Sequence, residues 1–349
     1  MTETPPVAHL SLDEIKATAE SIIDLQLPNG MIEWFPGGHA DPWNHIEAAM
    51  ALSIAGYTQE AEKAYQWLVD TQLSDGSWHN YYLAEGIEDA KIDTNCVAYI
   101  AAGVWHHYLV TGDREFAVKM FDVVDAAIEF VLSHQTQRGE VIWARRANGV
   151  RWHYALLTGS SSISHSLGCG VLLAEALGQT RKRWAAARRK LVYTIANSPE
   201  AFEPKDRWAM DWYYPVLTGA ITGDDAAKRM AGGWDEFVME DQGVRCVSDQ
   251  PWMTAAETCE AVIALLGVGQ RQQASDLFRW AQQLRHSSGS YFTGIVIPDM
   301  VHFPDDERSS YTGAAVILAA DALDNLTAAS TLFTKHPIVP NDLEETDTT

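Results

Sequence analysis

Two hydrophobic patterns alternate along the chain. In the first, apolar residues fall on one helical face, as with Ala61, Ala64, Trp67 and Leu68 between Thr58 and Gln72. The same pattern predicts helices near 10–26, 113–134, 181–197, 224–239 and 270–285. In the second, nearly every position is apolar or small, as in 42–55, 93–110, 162–177, 206–221, 250–266 and 308–324. End signals agree with the pattern. Ser11 and Glu14 make a capping box, Asp41-Pro42 opens a helix, and Gly56, Gly112 and Gly178 close helices. Ser160-Ser161-Ser162 reads as the start of 162–177, and Pro215 predicts a kink or early break in 206–221. No segment with the strand period competes.

Twelve helices in six pairs follow, with an amphipathic member first and an all-apolar member second. A helix that is apolar all round must be covered on every side. The apolar helices therefore form an inner ring and the amphipathic ones an outer ring. This is an all-α fold, an (α/α)6 barrel or toroid of six helical hairpins, over 10–325. Strict alternation makes the inner helices parallel, so their N-termini converge on one face, where function is expected. Residues 1–9 read as a disordered N-terminus. Residues 326–349 read as a C-terminal extension ending in an acidic tail.

Composition narrows the class. The formal net charge is −22, opposite in sign to a nucleic-acid footprint and repelled by anionic membranes. No apolar run suits a membrane span, and no signal peptide is evident at the N-terminus. The four cysteines (Cys96, Cys169, Cys246, Cys259) are widely spaced, which points to a reducing compartment and a cytoplasmic location. Thirteen Trp, many beside Asp, Asn or His, suit a pocket lining.

The stretch Ser248–Gly267 places Asp249 at the mouth of an apolar helix and Glu257 inside it. Buried carboxylates need partners, so acids in such a helix point to a pocket. Candidate catalytic residues are Asp249, Asp211, Glu257, Asp93 and Asp41. Candidate substrate contacts are Trp43, Asn44, His45, Glu47, Trp78, Asn95, His165, Arg207, Trp208, Trp212, Tyr213, Gln250, Trp252, His302 and Tyr311. Aromatic faces stack on sugar rings while acids and amides bind hydroxyls. Plainer roles compete: Asp41 and Asp93 are good N-caps, Trp43 and Trp252 suit a core, and His45 and His165 suit a buried structural role. No metal or cofactor is called for. The partner is a small molecule, with no nucleic acid and no membrane.

Gln72-x3-Gly76-x-Trp78 looks like the QW motif of squalene–hopene cyclases, with looser copies at Gln26…Gly30…Trp34 and Gln135…Gly139…Trp143. With the helix pairs, the chain resembles the α/α toroids: terpenoid cyclases, protein prenyltransferase β subunits and six-hairpin glycosidases. The D-x-D-D of a cyclase is missing, and Asp93-Thr94-Asn95-Cys96 has one residue too many for the prenyltransferase zinc motif. The expected function is therefore a carbohydrate-active enzyme, a glycoside hydrolase using paired carboxylates. A terpenoid cyclase or prenyltransferase-like enzyme is an alternative. So is a sugar epimerase or isomerase, with His45, His153 or His165 as acid and base.

Overall fold

The computed structural model describes residues 8–335. Residues 1–7 and 336–349, which hold most of the expected disordered N-terminus and the acidic tail, lie outside the described residues. The helices run in chain order as α1 (Leu12–Ile23), α2 (Pro42–Ile54), α3 (Thr58–Thr71), α4 (Thr94–Ala98), α5 (Ile100–Thr111) and α6 (Arg114–Ser133). They continue as α7 (Leu157–Ala176), α8 (Lys182–Asn197), α9 (Ala209–Leu217), α10 (Gly223–Phe237), α11 (Ala255–Gly267), α12 (Arg271–Ala281) and α13 (Ser310–Asp324). A turn at Tyr99 separates α4 from α5, and together they make one inner element.

The inner ring closes. α2 packs on α5, α5 on α7, α7 on α9, α9 on α11, α11 on α13, and α13 on α2. Small residues make this possible: Ala48, Ala49 and Ala51 of α2 are fully buried, as are Ala314, Ala319 and Ala320 of α13. The amphipathic helices lie outside, with α3 against α2, α8 against α7 and α12 against α11.

The repeated Gln turns hold the outer ring together. Gln72 Nε2 donates to its own turn at Gly76 O (3.0 Å) and to Val123 O of α6 (3.0 Å). Gln26 does the same with Gly30 O and Glu60 O of α3, and Gln135 with Gly139 O and Ala187 O of α8. Gly76 is required twice over. Its φ is +89°, and a Cβ there would lie 2.2 Å from Ala126 O. The last turn closes the circle onto α1. Thr18 Oγ1 donates to Gly289 O (2.8 Å), and Arg285 Nη1 reaches Glu14 (3.3 Å).

Several boundaries differ from the sequence reading. α7 begins at Leu157, so Ser160–Ser162 lie buried inside it and do not cap it. α11 begins at Ala255, so residues 250–254 precede the helix. Helix α9 does stop early, two residues after Pro215. Pro215 has no N–H for the carbonyl of Asp211, and Arg229 Nη2 of α10 donates to that oxygen (2.6 Å) instead.

The sequence reading has no strands, whereas short ones ring the mouth. β1 (Tyr81–Leu83) pairs with β2 (Gly86–Asp89), and β3 (Ile92–Asp93) with β4 (Ala144–Arg145). β5 (Val238–Met239), β6 (Gly243–Arg245), β7 (Trp252–Thr254), β8 (Gly294–Val296) and β9 (Val301–Phe303) form an antiparallel meander. At two to four residues each, they are too short to show a period.

The chain closes the opposite end of the barrel. Asp321 accepts the Thr327 amide (2.7 Å) and hydroxyl (2.8 Å), turning the segment after α13 inward. Leu332 and Phe333 are buried, and Phe333 stacks on His165 of α7 at 4.6 Å. Phe333 also bounds a residual gap of about 20 Å³ beneath Glu47 and Glu260. Phe333→Ala is expected to cost about 3 kcal/mol of unfolding free energy, as for a core aromatic truncation. Urea titration followed by circular dichroism measures it.

Candidate active site

Three inner helices present an aspartate at the mouth. Asp41 is the N-cap of α2 and is buried. Its Oδ1 accepts the amides of Trp43 (2.9 Å) and Asn44 (3.1 Å), and its Oδ2 accepts Trp34 Nε1 (2.8 Å) and Asn44 Nδ2 (2.8 Å). Those four N–H groups fill the lone-pair positions a carboxylate offers in this structure. Asp93 caps α4 through the Asn95 amide (2.9 Å) and accepts the Trp143 indole on its other oxygen. Asp211, in the first turn of α9, accepts Thr158 Oγ1 (2.6 Å) and amide (3.3 Å) on Oδ1. Burial raises the carboxyls of all three, against the opposing pull of these donors.

The Trp residues that engage Asp41 and Asp93 come from the looser Gln turns. In those copies Trp stands four residues after Gly, at Trp34 and Trp143. That longer arm reaches the mouth. Trp78, two residues after Gly76, instead donates to Leu68 O (2.8 Å) and is buried in the wall. It is a structural residue, contrary to expectation.

Below the mouth, the barrel axis holds two glutamates. Glu47 of α2 accepts Trp43 Nε1 (2.9 Å) and Tyr99 OH (3.0 Å). Glu260 of α11 accepts Tyr213 OH and Tyr214 OH (3.3 Å for the latter). Burial pushes Glu47 up to about 7, and burial together with Glu47 pushes Glu260 well above the carboxylate range. Both line the same narrow gap, so ionising one opposes ionising the other. Glu257 stands one turn nearer the mouth, partly accessible, and its carboxyl is also raised by burial. Tyr311, at the start of α13, packs edge-on against Trp34 at 4.8 Å.

At the mouth, between the N-terminal ends of α2, α4, α7 and α9, lies a central cavity of about 410 Å³, within the range of ligand pockets. Trp43, Trp143, Tyr154, Leu156, Trp208 and Met210 supply its apolar lining. Asp93, Asn95, Thr158, Lys205 and Asp211 supply the polar one. Asn95 Oδ1 is buried with no hydrogen-bond partner among the described residues. The sequence reading missed Tyr154, Thr158 and Met210. They flank inner-helix starts it placed a few residues away.

Other expected contacts fall elsewhere. Asp249 is exposed in the turn between β6 and β7, paired with Arg207 at 2.9 Å, which holds its carboxyl below the usual range. Its expected helix mouth is six residues further on. Gln250 shares that turn. Trp252 stacks on Phe303 at 4.6 Å, and His302 stacks on Phe292 at 3.5 Å. Trp212 faces outward, donating to Arg229 O (2.9 Å). His45 is buried with both ring nitrogens engaged, by Ile32 N (3.2 Å) and Ala64 O (2.9 Å), and burial pushes it down to about 4. His165 lies two turns down α7, against Phe333, and His153 is exposed. No histidine lines the central cavity. Among the described residues, no three His, Cys, Asp or Glu side chains are grouped to hold a metal ion. Nor is any helix among them long and apolar enough to cross a membrane.

The chain is 47% identical to the MMP endo-(1,4)-3-O-methyl-alpha-D-mannosidase of Mycolicibacterium hassiacum over 324 residues, 93% of this chain and 90% of that one. Among solved structures, a glycosidase matches with a TM-score of 0.70 at 12% identity, covering 90% of this chain and 96% of its own. A D-mannose isomerase matches with a TM-score of 0.68 at 11% identity, covering 91% and 99%. These two similarities show the toroid fold alone. No family model matches. The relatives named here are sugar enzymes, and they give the terpenoid cyclase alternative no support.

The axial glutamates make stability depend on pH. Glu47 binds its proton more tightly folded, at about 7, than unfolded, where glutamate ionises near about 4.3. Its contribution is complete below the unfolded value and is lost as pH rises through about 7. In Glu47→Gln, the amide is neutral at every pH and can donate towards Glu260. The variant is expected to resist urea better than wild type at about pH 8, with the advantage vanishing near about pH 4. Unfolding midpoints across that interval measure it.

Proposed function

Since the chain belongs to the family of the Mycolicibacterium hassiacum MMP endo-(1,4)-3-O-methyl-alpha-D-mannosidase and is a glycoside hydrolase, we propose that it cleaves internal α-(1→4) linkages of a 3-O-methyl-D-mannose polymer. The 47% identity, extending over 93% of the chain, is the observation that carries this reading. The central cavity supports it. A 3-O-methyl ether replaces a hydroxyl with an apolar group, and Leu156 and Met210 offer apolar surface beside three Trp and a Tyr.

Glu257 is assigned the role of proton donor. Burial raises its carboxyl, so it keeps its proton at a pH where an exposed glutamate has lost it. The water-activating carboxylate comes from the mouth aspartates. Asp93 and Asp211 line the central cavity directly, while Asp41 caps the neighbouring inner helix α2. The charge and the buried free cysteines fit a cytoplasmic enzyme.

Glu257→Gln is expected to lower kcat by about a thousandfold, the range of a lost general acid. A proton donor must be protonated, so wild-type kcat/KM falls as pH rises through the raised value. That alkaline limb disappears in the variant. Alanine variants of Asp41, Asp93 and Asp211, assayed with added azide, identify the second group. Azide replaces the activated water and restores turnover only where the missing carboxylate did that work. Asp249→Asn, at an exposed ion pair, is expected to keep turnover. Full activity in Glu257→Gln would end the assignment.

A further inference from the structure

A second cavity, of about 400 Å³, opens beside the first. It lies between the segment 199–206, which leads into α9, and the C-terminal end of α10. Both elements end on the mouth face, because α8 and α10 run antiparallel to the inner helices. Lys205 and Asp211 line both cavities, so they form the wall the two share.

The second cavity is built like a sugar site. Phe202, Trp212 and Phe237, each largely buried, form its apolar floor, with Trp212 and Phe237 stacked at 5.5 Å and 13°. Arg229, Glu203 and Glu236 supply hydrogen-bonding groups around it. The walls are held in place before any ligand arrives. Arg229 ties α10 to α9 through the carbonyls of Asp211 (2.6 Å) and Trp212 (2.9 Å). Pro199 and Pro204 bracket the loop, and the Glu203 amide donates to Ala155 O (2.9 Å).

We propose that this side cavity is a distal subsite that binds further units of the same polysaccharide chain, across the Lys205–Asp211 wall from the scissile linkage. The inference rests on the α-(1→4) 3-O-methylmannan reading above. An enzyme that cuts internally must hold chain beyond the units that react. A cavity of ligand size on the same face, sharing two residues with the first, gives the continuation a place to go. Occupying it adds binding energy that only a long substrate can use.

Glu203→Trp and Glu236→Trp fill the cavity from opposite walls, at exposed positions that leave the core intact. Thermal melts check that both variants fold. Rates are compared on short and long α-(1→4) 3-O-methylmannan oligomers. Calorimetry with sulfur-linked oligomers, which resist hydrolysis, gives affinity without turnover. Wild type is expected to prefer the long oligomer in both assays. Each variant is expected to lose about tenfold of that long-to-short preference. Equal handling of long and short oligomers by wild type, or full preference in both folded variants, would overturn the side-cavity assignment alone. Wild type that neither binds nor cleaves even short oligomers would overturn the substrate reading and this assignment with it.

Discussion

The constraint that governs this structure is the closure of the inner ring. Six helices without a polar face cannot stand at a boundary with water. They are stable only when each is flanked by two others and backed by an outer helix. Closure of α13 onto α2 achieves this, and the Gln turns and the Thr18–Gly289 contact carry the outer ring around with it. Once the ring is closed, its axis narrows to a gap of about 20 Å³ among buried side chains. A carboxylate placed there is poorly hydrated, and burial raises both Glu47 and Glu260 while tyrosine and tryptophan donors engage their oxygens. Burial also raises Glu257, one turn higher in the first turn of α11.

Much of this was legible from spacing. The alternation of one-faced and all-round apolar segments gave twelve helices, their order and their inner or outer position, because burial on one side or on all sides dictates composition directly. Helix ends were less legible. Ser160–Ser162 look like a cap, yet α7 starts three residues earlier at Leu157. Burial inside the ring overrode the local preference of serine. The strands were invisible for a different reason. β7 is only Trp252–Thr254, and its pairing with β6 and β8 depends on neighbours that the toroid brings together.

That missed strand displaced the site. Reading 250–266 as one helix put Asp249 at a mouth, whereas β7 lies between the two and carries Asp249 out to solvent beside Arg207. Glu257 kept its place because it lies inside the true helix. Trp78 and His45 illustrate the opposite error. Both are polar-tipped rings near a mouth in sequence, but main-chain carbonyls of outer helices take their N–H groups. Sequence spacing shows that a residue lies near a helix start. It does not show whether the nearest acceptor is the wall or the cavity.

The looser Gln turns show how structure and chemistry share one motif. In the tight copy, Trp78 completes the wall. In the two longer copies, the added residues carry Trp34 and Trp143 past the wall to Asp41 and Asp93. Each indole N–H then steadies a carboxylate at the mouth, while Trp143 also presents ring surface to the central cavity. A change of two residues in spacing thus turns a structural tryptophan into a site tryptophan. The turns that hold the outer ring together also furnish the aromatic lining, so the polar mouth does not depend on long, independently folded loops.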